Sequence, residues 1–268
     1  MTSSTNVVKR LLVGNPMRSD QLGETLLPKR LALPVYCSDP ISSNAYATQE
    51  ILLVLSLGGV ALLTLTPWIA LAVVGLLLLV TISYLQTCYA YPSGGGAYVV
   101  SKQNLGRIPS LIAASALLVD YVMTVAVSIA SAVENFTSAF TGLRPWSVGL
   151  CIAVIALLTV MNLRGVRESG TLFAIPTYGF LLSVYALLVT GVVKLLSGQP
   201  LVAESAGFGL AGHTTTAAAL VILVLRAFAS GCTSLTGVEA VSNGVPTFRR
   251  PKSRNAGVTL LVMAALSA

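Results

Sequence analysis

Apolar residues in this chain fall into long continuous runs, separated by short polar or basic segments. Crossing a bilayer core takes about 20 such residues per helix. The pattern predicts spans at about 33–57, 67–91, 108–140, 146–163, 172–196, 214–245 and 256–268. The run over 108–140 exceeds what a bilayer needs, so that helix is tilted or projects at its ends. Residues 1–30 form a polar tail, and 31–268 read as one transmembrane domain. The expected class is an all-α polytopic membrane protein; a β-barrel would show shorter alternating segments.

Two of the runs carry polar interruptions. In the first, Cys37-Ser38-Asp39-Pro40-Ile41-Ser42-Ser43-Asn44 stands where a helix should cross. Pro40 removes a backbone donor, and Ser, Asp and Asn offer the freed backbone other hydrogen bonds, so an unwound break is predicted. In the sixth, Ala229-Ser230-Gly231-Cys232-Thr233-Ser234 is small and polar at mid-span, and another break is predicted there. Broken helices five spans apart are the arrangement of two five-helix repeats related by an in-plane pseudo-two-fold axis. Spans one to five then form the first repeat and span six begins the second. The seventh run, from about Ala256 to Ala268, would extend about 20 Å at 1.5 Å per residue. That leaves most of the second repeat outside these 268 residues.

Composition agrees with this class: 55% of residues are hydrophobic and 9% charged, against about 25% charged in soluble domains. The net charge of +7 is explained by position, so no nucleic-acid partner is expected. With the N-terminus in the cytoplasm, the tail, the 92–107 loop, the 164–167 turn and the 249–254 loop are internal, and they hold thirteen Lys or Arg. The external segments hold only Arg144 and Lys194. This bias fixes the orientation; the expected location is the plasma membrane. Cys37, Cys88, Cys151 and Cys232 form no CxxC pair and read as small buried hydrophobes. The first thirty residues are polar and basic, with no cleavable signal sequence expected.

Polar groups at membrane depth carry the functional signal. A carboxylate at the bilayer centre costs roughly 2.5–3.5 kcal/mol on insertion scales, and Asp39, Asp120 and Glu239 all fall there. At the first break, Asp39 is joined by the hydroxyls of Ser38, Ser42, Ser43 and Tyr46. Oxygen ligands of this kind suit an alkali cation or an ammonium group. In the third span Asp120 and Thr124 share a helix face, which Ser128 and Ser131 extend; a polar stripe of this kind faces the bundle interior. Thr236 and Glu239 share a face past the second break, where Glu239 is a candidate to load and release a proton. Arg226 either pairs with a carboxylate or snorkels outward. Gly94-Gly95-Gly96 matches no phosphate-binding motif and reads as a close-packed turn, with a gating hinge as the alternative. His213 is the one histidine; no Ser-His-Asp or metal-ligand spacing occurs, so no enzyme activity and no cofactor are expected.

The segments Leu33-Pro34-Val35-Tyr36-Cys37-Ser38-Asp39-Pro40-Ile41-Ser42-Ser43-Asn44-Ala45-Tyr46, Tyr91-Pro92-Ser93-Gly94-Gly95-Gly96-Ala97-Tyr98 and Ala229-Ser230-Gly231-Cys232-Thr233-Ser234-Leu235-Thr236-Gly237-Val238-Glu239 resemble amino acid–polyamine–organocation (APC) superfamily permeases. The potassium branch of that superfamily, the KUP-type and KimA-type symporters, is the most similar. The resemblance covers nearly all of residues 28–268. It implies the LeuT-type inverted-repeat fold, twelve helices in the complete protein, and proton-coupled potassium uptake. It also implies cation ligands at Asp39, Tyr46, Asp120, Thr124 and Thr236, with proton coupling at Glu239. A homodimer is left open for the full-length form.

Three functions stay open at this point. Proton-coupled potassium uptake leads. A proton-coupled amino acid permease is the alternative; its substrate carboxylate would be repelled by Asp39, and the first break lacks the glycine that lets backbone approach a ligand closely. A truncated, non-transporting membrane component is the third.

Overall fold

The computed structural model describes residues 26–163, 166–199, 202 and 216–268; His213 and most of the basic tail lie outside them. Ten α-helices are present among the described residues: α1 Lys29–Tyr36, α2 Ser38–Ser56, α3 Thr66–Ala90, α4 Gly96–Asn104, α5 Arg107–Ala139, α6 Ser147–Leu163, α7 Val166–Leu196, α8 Ala217–Gly231, α9 Ala240–Asn243 and α10 Lys252–Ser267. Four short 3-10 turns link them, at Val60–Leu65, Thr141–Trp146, Cys232–Leu235 and Val245–Thr247. Among the same residues, five helical stretches are long and apolar enough to cross a membrane: Val60–Ala90, Arg107–Ala139, Thr141–Leu163, Gly170–Leu196 and Ala217–Asn243. The first predicted span forms as the pair α1–α2, and the seventh as α10.

The helix ends follow local chemistry. Gly106 at φ 93° opens α5, and Pro67 occupies the first turn of α3, where its missing N–H would have no helical partner. Thr216 accepts from the Ala219 amide at 3.4 Å and caps α8. The 92–107 stretch, predicted as loop, contains α4; it has no Pro or Gly between Ala97 and Asn104 to stop a helix. Gly94, Gly95 and Gly96 all have positive φ, and they form the close-packed turn expected of them. A Cβ on Gly94 would lie 2.7 Å from the Asn243 carbonyl oxygen, and one on Gly96 would lie 2.9 Å from Ser242 Oγ. Only glycine lets this turn press against α9.

Two apolar clusters hold the bundle. The larger joins Leu33 and Ile41 of the first span to Leu77 and Cys88 of α3, Val238, Val241 and Phe248, and Leu260 and Met263 of α10. The smaller joins Ile51, Val54 and Leu55 of α2 to Ile69 of α3 and Ala227 of α8. Both clusters tie the two interrupted helices together, and α2 packs along α8. By contrast, α5, α6 and α7 expose much of their length, with Leu118, Val122, Ile152, Leu157, Leu182 and Leu187 all uncovered. Apolar faces of that extent belong against lipid or further helices. Cys37 and Cys88 are buried as expected, while Cys151 and Cys232 are partly exposed; all four are free thiols. Arg226 is exposed and points out of the bundle.

One further tie closes the base of the bundle. The Leu27 amide donates to the Thr247 carbonyl at 2.9 Å, and the Arg249 amide to the Leu27 carbonyl at 3.2 Å. This short parallel bridge joins Leu27 and Phe248. Tyr36 hydrogen-bonds Thr247 at 2.7 Å between hydroxyls and stacks on Phe248, with ring centroids 5.6 Å apart.

Candidate functional site

The first break is far shorter than the sequence suggests. The helix is interrupted only at Cys37, whose φ of −116° and ψ of 0° kink the chain between α1 and α2. The Cys37 amide still donates to Leu33 O at 2.8 Å, and the Ile41 amide to Cys37 O at 3.1 Å. Pro40 falls in the first turn of α2, where amides have no partner within the helix, so it breaks nothing. The predicted eight-residue unwinding is therefore corrected to a one-residue kink. Its effect is to present Asp39, Ser42, Ser43 and Tyr46 on successive turns of an intact helix.

The second break is longer and lies further along than predicted. Residues Ala229–Gly231 stay α-helical, Cys232–Leu235 tighten into a 3-10 turn, and the unwound part is 236–239. The Ser and Thr hydroxyls bond back to carbonyls one turn earlier, Thr233 to Ser230 at 2.8 Å and Ser234 to Gly231 at 3.0 Å, which keeps the segment helical until Thr236 turns extended at ψ 141°. Gly237 follows at φ 78°. A Cβ there would lie 2.5 Å from Asp39 Oδ2 and 3.1 Å from Pro40 Cδ. Gly237 thus allows the backbone of the second break to touch the carboxyl of the first.

Ser43 is the hub where the two breaks meet. It is fully buried. Its hydroxyl lies 3.3 Å from Asp39 Oδ1, 2.7 Å from the Tyr46 phenol and 3.3 Å from Thr236 Oγ1. Thr236 also donates to the Thr233 carbonyl at 2.9 Å. Three of the predicted ligands, Asp39, Tyr46 and Thr236, therefore surround a residue whose centrality the sequence does not signal. Thr124 and Ser128 of α5 face Asp39, Ser38 and Ser42 across an open cavity of about 580 Å³ that Leu158, Phe173 and Phe180 also line. Asp120 is half-buried and borders a separate groove on the other side of α5, with Ser115 and Met123. Although Asp120 and Thr124 share a helix face, the structure gives them different openings. Asp120 nevertheless lies within electrostatic range of both Asp39 and Glu239.

Glu239 is 7% exposed, and its Oε1 has no hydrogen-bond partner among the described residues. The Tyr121 phenol stands beside the carboxyl and accepts from Asn243 Nδ2 at 2.8 Å. Tyr121 and Gly237 are site residues that sequence reasoning passed over. Among the described residues, no group of three His, Cys, Asp or Glu side chains could hold a metal ion. The oxygens that do converge are hydroxyls and single carboxyls.

An all-helical chain with several membrane-crossing helices and polar side chains gathered where two interrupted helices touch is a multi-pass membrane protein built around an internal polar site. The family model described as amino acid permease matches residues 32–268, and the chain belongs to that family. It is 44% identical over 264 residues to the "Potassium transporter KimA" of Bacillus subtilis, a match covering 97% of this chain and 42% of that relative. It is also similar to the "Probable potassium transport system protein Kup" of Pseudomonas fluorescens, with 33% identity over 87 residues, 32% of this chain and 14% of the relative. The Kup protein of Ligilactobacillus salivarius is 30% identical over 119 residues, 42% of this chain and 18% of the relative. The chain thus spans less than half the length of these relatives. By name these relatives are a potassium transporter and probable potassium transport system proteins.

Proposed function

We propose that this chain, within a protein of its relatives' full length, carries out proton-coupled potassium uptake. The observation that carries the reading is the meeting of the two breaks at Ser43, with Asp39, Tyr46 and Thr236 all within 3.3 Å of its hydroxyl. Potassium would be held by these oxygens and by Thr124 from across the cavity. Asp120 would supply attraction from the neighbouring turn of α5, since a charge in low dielectric acts over several ångströms. Glu239, buried with a free carboxyl oxygen, would carry the coupled proton beside Tyr121. The resemblance to KimA, a potassium transporter by name, supports the choice of ion. Two broken helices five spans apart support a LeuT-type inverted repeat, and the charge bias supports a cytoplasmic N-terminus.

Rubidium uptake into cells or proteoliposomes carrying the full-length protein tests the ligand set. Asp120→Asn should abolish uptake, and undiminished uptake would show that the Asp120 charge does not serve the ion. Glu239→Gln should leave rubidium binding in place but make uptake indifferent to an imposed proton gradient; retained gradient dependence would move the proton elsewhere.

One observation favours an alternative reading. The cavity beside Asp39 has walls of Leu158, Phe173 and Phe180 and is large enough for an organic side chain. In an amino acid permease, Asp39 would face the substrate ammonium. Amino-acid-stimulated currents that ignore potassium would establish this reading over the first.

A further inference from the structure

Another opening lies away from the polar site, in the cleft between α1, α7 and α10. It is a small cavity of about 190 Å³. Lys29 and Arg30 line it, both exposed, and Leu33, Tyr178, Val258, Thr259 and Val262 form its walls, with the Thr259 hydroxyl already donating to the Asn255 carbonyl. Among the described residues, no acidic side chain lines it. Arg254 is four residues before Val258 on α10, one turn nearer the basic end on the same face. Cations therefore crowd the rim and apolar side chains the interior. Val262, deeper along α10, is 43% exposed, so the cleft opens sideways onto the apolar surface of the bundle.

We propose that this cleft binds the headgroup of an anionic phospholipid, with Lys29 and Arg30 on its phosphate and its acyl chain along Val258 and Val262. The cavity matches a phosphate and glycerol in scale but not a whole lipid, which leaves the chains outside, against the exposed apolar face. Soluble anions would gain nothing from those walls. Juxtamembrane Lys and Arg attract anionic lipid, and basic pockets between transmembrane helices hold such headgroups. The site also has a mechanical position. The Tyr178 hydroxyl donates to the Arg30 carbonyl at 2.7 Å, so a bound headgroup rests on the joint that fastens α1 to α7. The inference is independent of which substrate the polar site carries.

Native mass spectrometry of the full-length protein, titrated with phosphatidylglycerol or with phosphatidylcholine of the same chains, tests this. The protein should retain phosphatidylglycerol in preference. Each cation near a membrane surface contributes about 5-fold, so Lys29→Gln with Arg30→Gln should reduce the preference by roughly 30-fold. Val258→Trp fills the cleft while keeping every cation, and should lower the preference too. Excess glycerol 3-phosphate should leave the lipid bound. Equal retention of the two lipids by the unaltered protein, or an unchanged preference in the double variant, would overturn the proposal. A preference that survives Val258→Trp would reduce the effect to general surface attraction, and displacement by glycerol 3-phosphate would assign the cleft to a soluble phosphate instead.

Discussion

The two interruptions reach similar ends by opposite means. The first is severe in sequence and slight in structure: one kinked residue, Cys37, between two helices whose hydrogen bonding continues across it. The other is mild in sequence, yet the α-helix ends at Gly231, tightens to a 3-10 turn and unwinds over 236–239. What separates them is where the awkward residues fall relative to a helix start. Pro40, Ser38 and Asp39 occupy the first turn of α2, which tolerates a missing donor and favours acidic side chains. Thr236 and Gly237 occur after a helix has ended, and Gly237 takes a left-handed conformation that continues no helix. The break at Cys37 therefore offers side chains on a rigid support, and the break at Thr236 offers backbone brought close.

That contrast can be broken experimentally, most sharply at Gly237. A left-handed non-glycine residue costs roughly 1–2 kcal/mol, and the new Cβ would push on the Asp39 carboxyl. Gly237→Ala should lower rubidium uptake by the full-length protein by about 100-fold, the combined effect of strain and a misplaced ligand. Near-normal uptake would mean that the close approach of the two breaks is dispensable. Ser43→Ala should have a smaller effect. It removes the hydroxyl that joins Asp39, Tyr46 and Thr236 and leaves their own oxygens in place, so the loss of roughly 1–3 kcal/mol per unsatisfied buried group should appear mainly as weaker rubidium affinity. Unchanged affinity would show that the hub organises nothing. Pro40→Ala should matter least. Removing a well-accommodated proline shifts stability by about 0.4–1 kcal/mol through the unfolded chain, measured as thermal unfolding in detergent, with uptake preserved. A collapse of uptake in that variant would restore Pro40 as a maker of the first break.

Much of the bundle was legible because bilayer helices announce themselves by length. The third span, predicted at 108–140, forms at Arg107–Ala139, and the fourth, predicted at 146–163, at Ser147–Leu163. The fifth span, α7, begins earlier than predicted, at Val166 rather than near 172, because hydropathy detects the lipid-embedded part of a helix and not its polar end. Helix α4 was hidden for the same reason. At the site, Asp39, Tyr46 and Thr236 were legible as polar groups at membrane depth, and the structure brings them together. Ser43 and Gly237 were not. A serine that is one of several in its segment shows no sign of being the buried one, and the demand for glycine at 237 arises from its positive φ and from Asp39 and Pro40, nearly two hundred residues earlier in the chain. The placement of Asp120 in a separate groove depends on how α5 is rotated, which a shared helix face does not fix.

The bridge at the base of the bundle also sets an order of events. Tyr36 and Thr247 are 211 positions apart, and at synthesis rates of about 5–20 residues per second that interval is roughly 10–40 s. Throughout it, the leading half-helix and the segment before it have no bridge partner, while the intervening spans enter the membrane. The fastening of Leu27 and Tyr36 to Phe248 and Thr247 is thus a late closure in biogenesis. It leaves the amino-terminal segment waiting, within reach of insertion machinery and proteases, before it is sealed into place.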